Sequence, residues 1–197
     1  KVRVFVHEPP IKSTAVIDCQ LDNNNSTALV DPAGWRLPKD WTYYVNPNVP
    51  SSIASNLRTI LENSFDTWRD PLVGKVNFNY GGIINASVKK LDGKNIIAWG
   101  RTSGNALGVT YIWFNPVSRY AVETDTIMNL KYRWGWSTTT CDSSYYDAQN
   151  ILTHELGHWV GLDSSYADHT MYGYGAKGEI KKDTLTTGDK NSALALY

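Results

Sequence analysis

Three of the four histidines in the chain, His154, His158 and His169, fall within sixteen residues of one another. The stretch 154–158 reads His-Glu-Leu-Gly-His and matches the pattern H-E-x-x-H. Histidines four residues apart share one face of a helix, so both rings can bind one zinc ion. Glu155 is rotated by about 100° from His154 around the helix, so it can act on a water at the metal. The motif therefore predicts a zinc centre with Glu155 as general base.

Three helices are predicted, and one of them carries this motif. It spans about 147–160 and ends at Gly161, because glycine readily adopts the left-handed conformation that follows many helices. An earlier helix is expected after Ser51 or Ser52, either of which could cap it, and it stops at Asp70-Pro71. Its apolar residues recur at spacings of three and four. They are Ile53, Leu57, Ile60, Leu61, Phe65 and Trp68. A last helix to about 196 follows Thr186, with Asp189 completing a capping box.

Outside the three predicted helices, the sequence contains several strand-like runs, and this combination favours an α+β fold. Five runs read as strands and are bounded by glycine, proline or asparagine. They cover 42–46, 75–80, 95–100, 109–115 and 122–128, and an ordered loop is expected over 131–146. Residues 1–34 contain only a short β-like run before Pro9-Pro10, so we expect a loosely structured N-terminal segment, a possible propeptide remnant. The catalytic domain is expected over 35–197.

Composition excludes several other classes of protein. Lys plus Arg and Asp plus Glu both total 19, so the formal net charge is zero and a nucleic-acid partner is not expected. No stretch of about 18 apolar residues occurs, so no membrane partner is expected either. Aromatic residues make up 12% of the chain, which is ample for a packed core.

The sequence HELGHWVGLD followed by HTMYG resembles the metzincin metallopeptidases, and the matrixin branch in particular. Met171 is similar to the methionine of the turn that lies beneath the zinc in that family. The runs NLRTILENSFDTW, GVTYIWFNP and LTTGDKNSALALY are similar to matrixin elements in the same order, and the resemblance covers about 35–197. It implies a twisted, mixed five-stranded sheet with an antiparallel edge strand, two packed helices, and a small C-terminal subdomain with the last helix.

The resemblance also implies a function, that of a secreted, monomeric zinc endopeptidase acting on peptides or proteins. The substrate would lie along the strand that resembles the matrixin edge strand, and the residue after Met171 would wall the pocket beyond the scissile bond. The substrate-binding residues implied in this way are Val109, Thr110, Tyr111, Ile112, Trp113 and Tyr172.

The third zinc ligand is not fixed by the motif. Ser164 stands where matrixins carry their third histidine, and a neutral serine hydroxyl is a poor ligand. Asp163 and His169 are the candidates, and carboxylates do occur as third ligands. Asp163 precedes Met171 by eight residues, as the third histidine does in matrixins, and some bacterial relatives, the snapalysins, are similar in using aspartate. We therefore predict Asp163, with His169 as the alternative.

Other residues invite simpler interpretations. Cys19 and Cys141 are compatible with one disulfide or with two reduced thiols. The context of Cys19, IDCQLDN, does not resemble the latency switch of matrixin propeptides, so a bridge to Cys141 is predicted. Glu123 and Asp125 share one strand face, which is expected to be solvated, although calcium binding is possible. His7 is expected on the surface.

Two other functions remain open at this point. One is a catalytically inactive module whose zinc is structural. The other is a carbohydrate-binding domain that uses the tryptophans at 99, 113, 134 and 136, although aromatic residues in strands more often belong to a core.

Overall fold

The structure is a computed structural model that describes residues 1–10 and 26–197. Its centre is a six-stranded mixed sheet with the strand order β1-β5-β6-β4-β2-β3. The strands are β1 (Val2–His7), β2 (Asp40–Val45), β3 (Asn77–Ile83), β4 (Asn95–Gly100), β5 (Gly108–Phe114) and β6 (Ala121–Asn129). β5 is antiparallel to both β1 and β6, whereas the other neighbouring strands are parallel. A short parallel pair, β7 (Trp134–Gly135) and β8 (Tyr146–Asp147), lies in the loop before the motif helix.

The helices are α1 (Ser51–Ala54), α2 (Leu57–Arg69), α3 (Ala148–Val160) and α4 (Thr187–Leu194), with a 3-10 turn over Lys181–Asp183. α2 packs against α3, where the Trp68 indole donates a hydrogen bond to the Thr153 carbonyl at 2.8 Å. Phe65 and Trp159 meet edge to face between the same helices. The predicted α+β fold class is confirmed, because the five expected strands and the packed helices are all present. β1 is the addition.

Both ends of the motif helix follow the sequence prediction. The Asp147 side chain caps its start by accepting a hydrogen bond from the Asn150 amide. Gly161 ends it with φ +107°, and a Cβ there would lie 3.2 Å from the Trp35 carbonyl carbon. Glycine is therefore needed for conformation and for space. Thr186 and Asp189 form the predicted capping box of α4.

The first predicted helix differs from the prediction in two respects. It is interrupted between Ala54 and Leu57, although its apolar periodicity continues across the break. The predicted serine cap is also wrong, because Pro50 precedes the helix and no side chain caps it. The Ser52 hydroxyl instead donates to the Trp134 carbonyl at 2.8 Å. The Ser52 hydroxyl, which the local sequence pattern assigns to a helix cap, is therefore used in a long-range hydrogen bond to the Trp134 carbonyl.

The expectation of a loosely structured N-terminal segment is wrong for the residues that the structure describes. β1 is a full strand of the sheet. Residues 26–34 are held by backbone hydrogen bonds, including Gly188 N to Ser26 O at 2.9 Å and Ala33 N to Gly161 O at 2.7 Å. The domain boundary near residue 35 stays a prediction. None of the described helices is both long and apolar enough to span a membrane.

Candidate active site

The two motif histidines lie on α3 inside the protein. The His154 side chain is fully buried and His158 is 1% exposed, and their ring centroids are 4.8 Å apart. The Nδ1 atom of His154 lies 2.8 Å from the Thr170 carbonyl oxygen. The Nδ1 atom of His158 lies 2.8 Å from the Leu162 carbonyl oxygen. Because a carbonyl oxygen can only accept, each Nδ1 carries the proton and each Nε2 presents a lone pair.

This arrangement fits a zinc ion. A metal-ligating histidine usually donates its other ring N–H to a carbonyl or a carboxylate, as both histidines do here. The Nε2 atom of His154 is buried and has no hydrogen-bond partner within the described ranges. Burial lowers the pKa of His154 well below its ordinary value and that of His158 to about 4. Both rings are therefore neutral at pH 7, which is the form that binds metal.

Glu155 is buried against β5. Its Oε2 accepts a hydrogen bond from the Thr110 hydroxyl at 2.5 Å, and Thr110 is linked in turn to Thr126 at 2.7 Å. Burial raises the pKa of Glu155 to about 8, although the Thr110 hydrogen bond and nearby Lys182 both oppose this shift. A Cβ at position 108 would lie 3.0 Å from the Glu155 Cδ. Gly108 therefore lets β5 approach the carboxylate closely.

Met171 lies directly beneath the motif helix and is fully buried. A Cβ at Gly157 would come within 2.8 Å of both the Met171 Cε and the Trp68 Cζ2. Gly157, inside the H-E-x-x-H motif, is thus the residue that allows the turn around Met171 to pack under the histidines.

His7 joins this site, so its expected surface position is wrong. Its side chain is fully buried, and its ring centroid lies 4.0 Å from that of His154. Across residues 1–10 and 26–197, only His7, His154 and Glu155 form a group of three possible ligand atoms within 4.8 Å of one another. The alternation of β1 is the signal that could have found it, because Phe5 and His7 share the face opposite Val4 and Val6.

Asp163, the predicted third ligand, lies outside that group. Its Oδ2 forms an ion pair with Arg3 Nη2 at 2.9 Å, and its Oδ1 accepts from the Ser164 amide at 2.8 Å. The Asp163 carboxylate raises the pKa of His158, but burial lowers the same pKa by a larger amount. The role of Asp163 as a ligand stays a prediction.

His169, the alternative ligand, is buried and has both ring nitrogens near hydroxyls. Nδ1 lies 2.7 Å from Ser165 Oγ, and Nε2 lies 3.1 Å from Ser26 Oγ. A metal at His169 would have to replace one of these hydrogen bonds.

The predicted substrate-binding residues 109–113 all lie in β5, and both edges of that strand are paired. β6 occupies one edge and β1 the other. Tyr172 follows Met171 as expected, and its ring lies 5.4 Å from that of Tyr174. The edge along which we expect a peptide to lie is therefore covered by residues of the same chain.

Lys182 is a site residue that sequence reasoning missed. Its side chain is 1% exposed. Its Nζ donates to the Tyr174 carbonyl at 2.5 Å and lies 3.1 Å from His7 Nε2 and 3.2 Å from Glu179 Oε1. A lysine in a polar stretch is normally exposed, and no local pattern distinguishes this one.

Glu123 and Asp125 are fully buried, so the solvated strand face expected for them is wrong. Glu123 accepts hydrogen bonds from the backbone amides of Asp92, Gly93 and Lys94. Asp125 accepts from the amides of Lys89 and Ile96 at 2.8 and 3.2 Å. Both carboxylates thus anchor the loop before β4, and this arrangement does not support a calcium site.

Two remaining predictions concern the tryptophans and the cysteines. Trp99 and Trp134 are each only 1% exposed and belong to the core, so they cannot form a sugar-binding surface. Cys19 lies outside the described residues, and its bridge to Cys141 stays a prediction.

The fold and the site together define a class of protein, the metzincin-like metallopeptidases. A twisted mixed sheet packs on an H-E-x-x-H helix, with a buried methionine turn beneath it. The sequence profile of the family described as Matrixin matches residues 34–197, and the chain belongs to the matrixin family. No curated protein matches the chain. Family membership implies zinc-dependent peptidase activity and therefore a peptide or protein substrate.

Proposed function

We propose that this matrixin is a secreted, monomeric zinc endopeptidase in which Glu155 is the general base. The observation that carries the proposal is the joint position of three side chains on α3. Two neutral histidines are oriented by carbonyl oxygens, and the buried Glu155 carboxylate beside them on the same helix packs against Thr110 of β5.

His154 and His158 would hold the zinc through their Nε2 atoms, with Asp163 as the third ligand. When bound, zinc supplies a Lewis acid and lowers the pKa of water towards about 7. Asp163 Oδ2 is paired with Arg3 in this structure, so a zinc ion would either share the carboxylate with Arg3 or displace it.

Glu155 would take a proton from the attacking water and pass it to the leaving amine. The Thr110 hydroxyl orients the carboxylate through Oε2 and leaves Oε1 directed into the site. Burial raises the pKa of Glu155 to about 8 in the metal-free protein, and the positive charge of a bound zinc ion would lower this pKa towards the ionised form that a base needs.

The substrate would lie along β5 by backbone pairing, next to Tyr172 and the residues after it. Extracellular location and a monomeric state are proposed from the resemblance to matrixins, and the predicted Cys19–Cys141 bridge would agree with secretion. A sugar-binding function is disfavoured by the burial of Trp99 and Trp134.

The test combines metal analysis with digestion of casein. We expect one zinc per chain and internal cleavage products by mass spectrometry, abolished by chelator and restored by added zinc. Stoichiometric zinc without hydrolysis would instead support an inactive zinc module. Release of single terminal residues alone would contradict endopeptidase activity.

A further inference from the structure

Glu155 and Trp159 lie four residues apart on α3, so their side chains leave the same face of the helix. This face packs against β5 and β6, where Thr110 and Thr126 are directly opposite each other in the antiparallel register. All four side chains are fully buried. The two helix residues and the two threonines therefore form one polar group between the motif helix and the sheet.

Hydrogen bonds connect these four side chains in a row, here called the threonine relay (Trp159, Thr126, Thr110 and Glu155). Trp159 Nε1 donates to Thr126 Oγ1 at 2.9 Å, and the Oγ1 atoms of Thr126 and Thr110 are 2.7 Å apart. Thr110 Oγ1 donates to Glu155 Oε2 at 2.5 Å. Within residues 1–10 and 26–197, neither threonine hydroxyl has another hydrogen-bond partner. The relay thus joins a buried indole to the proposed base.

The indole fixes the direction in which the threonine relay donates. An indole N–H can only donate, so Thr126 Oγ1 must accept from Trp159. If Thr126 then donates to Thr110, and Thr110 donates to Glu155 Oε2, each hydroxyl proton of the relay has an acceptor. In the opposite direction the Thr126 proton would be buried without an acceptor, which is unfavourable. The favoured direction therefore presents a hydroxyl donor to Oε2.

The two carboxylate oxygens of Glu155 consequently have different roles. Oε2 is an acceptor in the favoured direction, so a proton that the carboxylate receives is directed to Oε1. Oε1 is buried and has no hydrogen-bond partner among the described residues. It lies 3.5 Å from Nδ1 of His7, whose ring packs on that of His154. The oxygen nearer the proposed metal site is thus the one left free to exchange protons.

A second pair of a tryptophan and a threonine on β6 is not connected to the base. Trp41 Nε1 donates to Thr124 Oγ1 at 3.2 Å, and both side chains are buried. Thr124 lies two residues before Thr126, but the residue opposite it on β5 is Ile112, which has no hydroxyl. The Trp41–Thr124 pair therefore resembles one end of the threonine relay without reaching Glu155, and it provides an internal control.

We propose that Thr126 and Trp159 are positioning residues of the peptidase and act on Glu155 through Thr110. The threonine relay holds Oε2 as an acceptor and leaves Oε1 to take the proton of the attacking water and return it to the leaving amine. This rests on the proposed function, since it concerns the base of that reaction. Because Thr126 and Trp159 are buried away from the substrate, their loss should lower kcat and leave KM nearly unchanged.

The kinetic test uses Thr126→Val, because valine is close to threonine in shape but lacks the hydroxyl. We expect kcat to fall about tenfold or more at equal zinc content, since a small misplacement of a catalytic group can cost about 10²-fold. Thr126→Ser keeps the hydroxyl and should restore most of the lost kcat. The control Thr124→Val removes a buried hydroxyl from the same strand and should leave kcat unchanged. Urea unfolding compares the stability of the variants.

Indole resonances of the zinc-free protein give a readout that does not depend on activity. The proton–nitrogen correlation signals of Trp159 and Trp41 are assigned from Trp159→Phe and Trp41→Phe. We expect Glu155→Gln to shift the Trp159 signal and to leave the Trp41 signal in place. Trp159 lies one helical turn from Glu155, so the comparison is repeated with Thr110→Val present. The shift should then disappear, because Thr110 is the connection between the two residues.

Unchanged kcat in Thr126→Val, or an equal loss in Thr124→Val, would overturn the inference, and Thr126→Ala replaces the valine variant if that protein does not fold. If the zinc-loaded wild type hydrolyses no peptide at all, the proposed function fails, and the indole signals then decide whether the relay reaches Glu155. A Trp159 shift that disappears with Thr110→Val would support the relay. A shift that persists with Thr110→Val, or no shift at all, would overturn it.

Discussion

His7 Nδ1 lies 3.5 Å from Glu155 Oε1, and neither atom has a hydrogen-bond partner in the parts of the chain that the structure describes. Burial lowers the pKa of His7 and raises that of Glu155, so both groups favour their neutral forms. Leaving buried polar atoms without partners is unfavourable. A water or a substrate group that reaches Glu155 would supply the hydrogen bond that Oε1 lacks.

Glu155→Gln should lower kcat/KM at least about 10²-fold while zinc content stays near one per chain, because the base is lost and the ligands remain. Glutamine keeps the shape of the side chain, so the fold should persist. The exposed Glu62→Gln serves as the control and should retain activity. Wild-type turnover in the Glu155 variant would show that another group is the base.

Asp163→Ala should weaken zinc binding far more than His169→Ala. Zinc can share the partly exposed Asp163 carboxylate with Arg3 or displace Arg3, whereas both nitrogens of His169 face serine hydroxyls. Competition with a chelating indicator measures the two affinities. The reverse order would assign the third ligand to His169.

Asp189→Ala should weaken zinc binding as well as the fold. Asp189 Oδ2 accepts hydrogen bonds from the amides of Thr170 and Thr186, both at 3.0 Å. The Thr170 carbonyl in turn orients His154. The loss should lower the free energy of unfolding by about 1–3 kcal/mol in urea and reduce zinc affinity. The control is the exposed Asp168→Ala, which should change neither stability nor zinc affinity. Unchanged zinc affinity in the Asp189 variant would contradict the proposed connection from Asp189 through Thr170 to His154.

Asp125 should make the metal-free protein less stable as the pH rises from about 4 to 7. Burial raises its pKa from 3.8 to about 7. Between these two pKa values, the unfolded chain has released the proton of Asp125 while the folded chain still binds it. The free energy of unfolding therefore falls as the pH rises through this range. The free energy of unfolding of wild type relative to Asp125→Asn should therefore fall between pH 4.5 and 7.5 in urea titrations with chelator.

The matched control for this pH effect is the exposed Asp70→Asn, which should show a flat difference from wild type over the same range. A constant or rising difference for Asp125→Asn would contradict the assignment of a raised pKa.

Cys19 and Cys141 should be joined. Thiol titration of the denatured, unreduced protein should then find no free thiol. The bridge would close a loop of about 120 residues, worth about 4–5 kcal/mol in the chain-entropy account. Reduction should accordingly lower the melting temperature. Detection of two free thiols would contradict the predicted bridge and would weaken the argument for secretion.

The parts of the site that depend on local pattern were predictable from the sequence. The His154–His158 spacing, the stop at Gly161 and the Thr186–Asp189 capping box each lie within a few residues and reflect helix geometry. All three are present where the pattern puts them. The five strands were predictable for the same reason. β4 has the predicted bounds, and the bounds of the other four differ from the prediction by one to three residues.

The contacts that close the site were decided only by tertiary structure. Arg3 and Asp163 are 160 residues apart in sequence, and His7 and Lys182 are 175 apart. No periodicity links such residues, because their proximity depends on where β1 joins the sheet and how the chain turns after Met171. The sequence by itself therefore determined the metal-binding helix and the class of its chemistry. Long-range pairing of β1 with β5 placed His7 against Glu155 and covered the edge of β5 along which we expect a peptide substrate to lie.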